Sequence, residues 1–219
     1  SIGARDARGL YRHVETHPDS PYAQSIFRIK SWVDTNLDRA GNLVAVGSAE
    51  AGEGKSTTAA NLAHLAARGG QKVLLIDGDL HQAALTAALA PESVGSLIDV
   101  VSGEREPAEV IAAASDAGFD FCPARPTSAG ESASNIFSSR PLQRLLERVA
   151  QAYDLVIVDT PALNQHVDAS ILLAKSDLAV LLVCQEATTQ PQLHRALDML
   201  SGPPADRVAF VLSQHRPRR

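Results

Sequence analysis

Residues 43–58 read LVAVGSAEAGEGKSTT, and this stretch decides the fold. The apolar run predicts a strand, the glycines and small residues predict a tight loop, and the residues from Lys55 onward predict a helix. Such a loop lets several backbone N–H groups converge on a phosphate, and the helix adds the positive end of its dipole. The stretch therefore predicts a phosphate-binding loop at the end of a strand.

The loop follows the pattern G-x-x-x-x-G-K-[ST], in which the lysine reaches the β- and γ-phosphates of a nucleoside triphosphate and the hydroxyl ligates Mg²⁺. Lys55 and Ser56 match those two places, whereas Ala49 stands at the first glycine. Alanine is also small, and Gly52 can supply a positive φ. The alternative is a glycine-rich turn that only joins a strand to a helix. The residues predicted to bind the nucleoside triphosphate are Ala51, Gly52, Glu53, Gly54, Lys55, Ser56 and Thr57.

Two further apolar runs end in aspartate. Residues 73–79 read VLLIDGD and residues 155–161 read LVIVDTP. Asp77, Asp79 and Asp159 therefore follow the carboxyl ends of predicted strands, where the sites of open parallel sheets lie. An aspartate in such a place can instead cap the next helix, and for Asp79 both interpretations stay open.

These aspartates complete a predicted magnesium site. Mg²⁺ bound to a triphosphate requires hard oxygen ligands, so Ser56, Asp77 and Asp159 are the predicted metal-supporting residues. Asp77 or Asp79 is the candidate acceptor of a proton from a hydroxyl or a water. The predicted catalytic residues are thus Lys55, Asp77, Asp79 and Asp159.

Composition excludes some classes of function. The formal net charge of −5 gives no basic field, so we expect no nucleic-acid partner. Cys122 and Cys184 lie far apart in apolar stretches, which indicates reduced core thiols in a cytoplasmic protein. No apolar run reaches the ~18 residues of a membrane helix. Because the sequence begins with Ser1 rather than methionine, an upstream membrane segment remains compatible with it.

From Asn42 onward, strand and helix patterns alternate, which predicts an α/β fold with a doubly wound, mainly parallel sheet flanked by helices. We expect residues 1–19 to be a flexible N-terminal segment, residues 20–213 a single nucleotide-binding domain and residues 214–219 a basic tail. The Pro/Gly/Ser-rich stretch Pro123–Ser139 is the expected mobile loop. The predicted strands are Leu43–Gly47, Lys72–Asp77, Asp120–Pro123, Leu155–Asp159, Ala179–Cys184 and Val208–Leu212.

With these motifs the chain resembles the bacterial tyrosine kinases. The phosphate loop, LLIDGD at residues 74–79 and VIVDTP at residues 156–161 look like their Walker A, A′ and B motifs. These kinases are the cytoplasmic P-loop domains of capsule and exopolysaccharide co-polymerases, and they are similar to septum-site and chromosome-partitioning ATPases. The resemblance implies a P-loop NTPase fold, ATP and Mg²⁺ as cofactors, and a location at the inner face of the membrane. The implied partner is the cytoplasmic tail of a membrane polysaccharide co-polymerase, separate or fused upstream.

At several positions this sequence departs from the motifs of these families, and the departures limit which of the implied properties we expect here. Partitioning ATPases have a second lysine where this chain has Glu50, which argues against that branch. In the kinases a Glu-x-x-Arg-x-x-Arg motif assembles a ring. Here only Arg28 matches, between Ser25 and Ser31, so the implied homo-oligomer is in doubt. His81 stands where the kinases have an arginine after their two aspartates.

Three function hypotheses follow. The first is a kinase-like phosphotransferase or ATPase that regulates polysaccharide synthesis or export. The second is an ATP-dependent interaction switch with slow hydrolysis, favoured because the kinases' C-terminal tyrosine cluster is missing and the only tyrosines are Tyr11, Tyr22 and Tyr153. The third is a scaffold that binds nucleotide without turnover, which the intact Lys55 and Asp159 disfavour.

Overall fold

The computed structural model describes residues 9–37, 41–114, 117–200 and 205–213, so the predicted basic tail lies outside the described residues. The helices are α1 His13–Thr16, α2 Pro21–Asn36, α3 Lys55–Arg68, α4 Ala84–Leu89, α5 Leu97–Ser102, α6 Pro107–Val110, α7 Ala133–Phe137, α8 Arg140–Ala152, α9 Asp168–Ala174 and α10 Gln190–Asp198, with a 3₁₀ turn at Ala205–Arg207. The strands are β1 Leu43–Ser48, β2 Val73–Asp77, β3 Ala112–Ala113, β4 Asp120–Cys122, β5 Leu155–Ala162, β6 Leu178–Cys184 and β7 Val208–Ser213.

The strands form one sheet in the order β3-β4-β2-β5-β1-β6-β7. Every pairing is parallel except that of the two-residue β3 with β4. The predicted doubly wound, mainly parallel sheet is therefore confirmed, and β3 adds a short antiparallel edge to the six predicted strands. β1 lies centrally between β5 and β6, so the loop after β1 emerges where the sheet can expose a cleft.

Both faces of the sheet are covered by helices, which explains the continuous apolar runs of the strands. Successive residues of β2 alternate between two cores. Val73 and Leu75 pack in the core that contains α3, whereas Leu74 and Ile76 pack in the core that contains α8. No helix in the described part of the chain is long and apolar enough to cross a bilayer.

The N-terminal segment differs from the expected flexible lead-in over its described part, residues 9–19. Tyr11 and Val14 are buried in the same core as α3. The amide of Asn61 on α3 fixes this segment, since its Oδ1 accepts from the Val14 N–H at 2.9 Å and its Nδ2 donates to the Leu10 carbonyl at 2.7 Å. The expectation of flexibility is wrong for these residues, because Tyr11 and Val14 are buried among mostly polar neighbours in the sequence and the Asn61 amide binds the backbone.

The stretch Pro123–Ser139 is also more ordered than expected. It contains α7, and Phe137 at the end of this helix is fully buried. The Arg125 guanidinium makes two 2.8 Å hydrogen bonds to the Glu131 carboxylate, which closes the exposed turn between them. A mobile loop is therefore the wrong description, because an aromatic anchor and an ion pair hold the stretch in place.

Candidate functional site

The loop between β1 and α3 has the conformation that its glycines predict. Gly52 and Gly54 have φ values of +80° and +96°, which L-residues with side chains rarely adopt. Gly54 directly precedes α3, so the backbone N–H groups of the first turn, from Lys55 to Thr57, have no partner within the helix and face the loop. Ala49 is buried and its N–H donates to the Leu182 carbonyl, so this position does not require glycine.

Glu53 supports the loop from below. Its side chain is only 2% exposed, and Oε2 accepts from the Glu50 N–H at 2.8 Å. Oε1 accepts from the Cys184 N–H at 2.7 Å and from the Thr188 hydroxyl. The carboxylate thus fastens the loop to the end of β6, and only the backbone of Glu53 is left to contact a phosphate.

Glu50 has a hydrogen-bond partner that the sequence pattern does not reveal. Its Oε1 accepts from the Asn164 amide at 2.8 Å, and the same amide donates to the Gln192 carbonyl at 2.9 Å. The Asn164 N–H in turn donates to the Ala49 carbonyl at 3.1 Å. The position where partitioning ATPases have a lysine therefore connects the loop to the residues after β5.

Asp77 and Asp159 are neighbours in the sheet, as predicted. They are paired residues in the register of β2 with β5. Gly78 permits their approach, since its N–H donates to the Asp159 carbonyl at 2.8 Å and a Cβ on Gly78 would lie 2.6 Å from that oxygen. The Asp77 carboxylate accepts three hydrogen bonds, from the Asp79 N–H at 3.1 Å and from the N–H and hydroxyl of Thr86 at 2.9 and 2.8 Å.

Thr86 is a functional residue that sequence reasoning misses. Its hydroxyl donates to Asp77 and accepts from the Ala124 N–H at 2.8 Å, so it fixes the Asp77 carboxylate relative to the end of β4. Burial raises the pKa of Asp77 to about 6, although these hydrogen bonds oppose the rise. Nothing local in the sequence marks this threonine, because its partners are Asp77 at the end of β2 and Ala124, the second residue after β4.

Asp159 has the electrostatic environment expected of a metal-supporting carboxylate. It is 1% exposed, and neither carboxylate oxygen accepts a hydrogen bond from any residue that the structure describes. Burial raises its pKa to about 8, and the Lys55 ammonium and the Ser56 hydroxyl act against that rise. A buried carboxylate of this kind is costly unless a cation compensates it. Ser56, Asp77 and Asp159 therefore fit Mg²⁺, which when bound would neutralise charge on the phosphates.

Asp79 acts mainly on the backbone. Its Oδ1 accepts from the His81 N–H at 3.1 Å and from the Gln82 N–H at 3.0 Å, which holds the turn before α4. Asp79 therefore does not cap α4, whose N-cap residue is Ala83 and has no side-chain hydrogen bond, but stabilises the turn that precedes this helix. Asp79 is nevertheless mostly buried at the same sheet edge as Asp77 and Lys55, so the structure brings all four predicted catalytic residues together.

A phosphate loop after the central strand, together with two paired aspartates on a doubly wound parallel sheet, defines a P-loop ATPase domain. A family model described as an AAA domain matches residues 41–200. The tyrosine-protein kinase YwqD of Bacillus subtilis (strain 168) is 32% identical over 187 residues, which cover 85% of this chain and 78% of that protein. The chain belongs to this AAA-domain family and, within it, to the bacterial tyrosine kinases.

Two longer relatives extend the comparison. The tyrosine-protein kinase EpsB of Ralstonia solanacearum is 29% identical over 202 residues, which cover 88% of this chain and 26% of that protein. The succinoglycan biosynthesis transport protein ExoP of Rhizobium meliloti (strain 1021) is 32% identical over 197 residues, which cover 89% of this chain and 25% of that protein. The chain therefore spans about a quarter of the length of these two relatives.

Solved structures share the fold. The kinase domain of the Escherichia coli tyrosine kinase ETK superposes with a TM-score of 0.82 at 21% identity, covering 94% of this chain and 81% of that chain. The cobyrinic acid a,c-diamide synthase of Mycobacterium smegmatis, solved with an ATP analog and magnesium, has a TM-score of 0.60 at 23% identity. The match covers 78% of this chain and 72% of that chain. The fold family thus includes a protein that binds an ATP analog together with magnesium.

Proposed function

We propose that this chain binds Mg·ATP and transfers or hydrolyses the γ-phosphate, as a kinase-like domain that regulates exopolysaccharide or capsule synthesis or export. The observation behind the proposal is the buried Asp159 carboxyl group, which lies close to Lys55 and Ser56 but accepts no hydrogen bond of normal geometry from the described residues. The Lys55 ammonium alone leaves its pKa raised, so a second cation would favour the ionised form, and the neighbouring phosphate loop supplies the site for a metal–nucleotide complex.

Each residue has a distinct role in the proposed reaction. Lys55 and the backbone N–H groups of Gly54 to Thr57 hold the phosphates, and Ser56 and Asp159 support Mg²⁺. Asp77, fixed by Thr86, supports the metal from the side of β2. Asp79 remains the candidate proton acceptor through its second oxygen, because Oδ1 is bonded to the turn.

The polysaccharide role and the partner rest on similarity. ExoP is named as a succinoglycan biosynthesis transport protein, and its 32% identity with this chain supports the same process here. We propose the cytoplasmic tail of a membrane polysaccharide co-polymerase as the activator, whether separate or part of the same polypeptide. The domain would then act in the cytoplasm at the inner face of the membrane.

Incubation with γ-labelled ATP and Mg²⁺ tests the reaction. The purified chain is compared with Lys55→Met and with the control Lys72→Met, which changes a lysine that lies over the Tyr153 ring outside the site. Label retained on tyrosine, of this protein or of an added tyrosine-containing polymer, is the expected result for a kinase. Unchanged nucleotide affinity in both Lys55→Met and Asp77→Asn would show that the site is wrongly assigned.

The second candidate is the ATP-dependent interaction switch. Its support is the placement of the three tyrosines. Tyr11 is buried, burial raises the pKa of Tyr22 to about 12, and the Tyr153 hydroxyl donates to the Asp120 carboxylate at 2.7 Å. None of these hydroxyls is presented as a free phosphate acceptor. Phosphate release without any labelled tyrosine, dependent on Lys55, would favour the switch over the kinase.

A further inference from the structure

Three side chains that are distant in sequence meet beside the candidate nucleotide site. His81 follows the turn that Asp79 holds, His166 follows β5, and Asp168 begins α9. The His81 and His166 rings are stacked, with centroids 3.6 Å apart and planes 11° from parallel. His81 Nε2 lies 2.6 Å from Asp168 Oδ2, and one potential ligand atom from each of the three residues lies within 4.8 Å of the others.

The group has the composition of a transition-metal site. Two imidazole nitrogens and one carboxylate oxygen are donors that suit Zn²⁺, whereas Mg²⁺ prefers oxygen ligands alone. The Ser134 hydroxyl donates to Asp168 Oδ1 and orients the carboxylate, as outer partners of metal ligands do.

The site can be reached and can adjust. The His81 side chain is 28% exposed, whereas that of Asp168 is 5% exposed, so the buried carboxylate faces a histidine that borders solvent. Two ligand atoms on one tetrahedral Zn²⁺ at ~2.0 Å lie roughly 3.3 Å apart. This spacing requires that His81 Nε2 and Asp168 Oδ2 move apart by less than about 1 Å, with release of any proton between them, and that the distances to the His166 ligand atom, none above 4.8 Å, adjust to it.

We propose that His81, His166 and Asp168 bind one Zn²⁺ ion at a site separate from that of Mg·ATP. The three protein ligands leave a fourth position open, which a water or an anionic oxygen can take. The His81 N–H donates to Asp79, so the occupied site is connected directly to the turn that borders the phosphate loop.

The test uses metal-free, tag-free protein without nucleotide, so its outcome does not depend on the proposed ATP chemistry. Zn²⁺ binding is measured by equilibrium dialysis with elemental analysis, and Co²⁺ replaces Zn²⁺ to report coordination geometry by visible absorption. We expect one equivalent of Zn²⁺, intense tetrahedral-type Co²⁺ absorption, and an affinity at least tenfold weaker in His166→Gln and in Asp168→Asn.

A matched control comes from the second stacked histidine pair. His13 and His17 have ring centroids 4.7 Å apart and planes 14° from parallel, and they lie outside the three-residue group. His17→Ala is expected to bind Zn²⁺ like the parent chain. Because Asp168 is buried, thermal unfolding is used to check that each variant is folded. His81→Ala serves as an independent variant, since the His81 side chain is partly exposed. The proposal is overturned if the parent chain binds no stoichiometric Zn²⁺, or if His81→Ala and His166→Gln bind Zn²⁺ as tightly as the parent chain. Loss of Zn²⁺ binding in His17→Ala would also overturn it.

Discussion

Replacing Asp159 with asparagine is expected to stabilise the protein without nucleotide and to abolish its response to Mg·ATP. The carboxyl group is buried and accepts no hydrogen bond of normal geometry from the described residues, although the Lys55 ammonium and the Ser56 hydroxyl lie close. Its burial therefore makes ionisation in the folded state unfavourable. Asparagine has nearly the same shape and cannot ionise. The substitution therefore removes an electrostatic cost from the folded state together with the metal-supporting charge.

The size of the effect follows from the pKa of Asp159, which burial raises from 3.8 to about 8. Between these two pH values the folded chain keeps a proton that the unfolded chain has lost, so stability falls as the pH rises from 3.8 towards 8. At pH 7 the loss is on the order of 4 kcal/mol, an upper bound because neighbouring groups relax. Recovery of only a quarter of this loss raises Tm by about 2–4 °C in a domain of this size.

Thermal unfolding at pH 5, 7 and 8 measures the effect, with and without Mg·ATP. The exposed Asp154, which accepts from the Lys72 N–H, provides the control Asp154→Asn, for which no comparable gain is expected. Mg·ATP at about 100 times its Kd should stabilise the parent chain by about 2.7 kcal/mol and Asp159→Asn by much less. The reasoning is refuted if Asp159→Asn melts at or below the parent chain at pH 8, or if Mg·ATP stabilises both equally.

Three further predictions test the supports of the site. Glu53→Ala should lower the free energy of unfolding by about 1–3 kcal/mol for each buried donor left unpaired, as measured by denaturant unfolding. It should also weaken ATP binding, as measured by calorimetry. Gly78→Ala should destabilise the fold and reduce Mg·ATP affinity, because its Cβ would lie 2.6 Å from the Asp159 carbonyl oxygen. In the control Gly9→Ala the added Cβ meets no atom within 4 Å, so neither stability nor affinity should change. Burial lowers the pKa of His64 below 6.5, so protonation of this ring favours the unfolded chain as the pH drops below that value, opposite in sign to the effect of Asp159. His64→Leu should therefore gain stability relative to the parent chain between pH 7.5 and pH 5.5, as measured by urea titrations at these two pH values.

The phosphate loop and the strand-end aspartates could be predicted from the sequence because their geometry is local. An apolar strand, a glycine loop and a helix start lie within residues 43–58, and residues that end parallel strands meet at one sheet edge. The pairing of Asp77 with Asp159 also requires that β2 lies beside β5, and this strand order comes from the structure.

The supports of the site depend on contacts between distant residues and could not be predicted. Glu53 binds the end of β6 across 131 residues, and Asn164 binds Glu50 across 114. The two wrong expectations have the same origin, since polar composition suggests mobility in residues 9–19 and 123–139. Buried anchors such as Val14 and Phe137 are visible only once the core is assembled.

Asn61 gives the N-terminal segment a mechanical connection to the nucleotide site. Besides binding Leu10 and Val14, its Nδ2 donates to the Thr57 carbonyl at 2.8 Å, in the first turn of α3. Asn61 lies six residues after Lys55, about 9 Å along the same helix. A displacement of the chain before α2 would therefore act on the first turn of α3 through the Asn61 amide group and through the packing of Tyr11 and Val14.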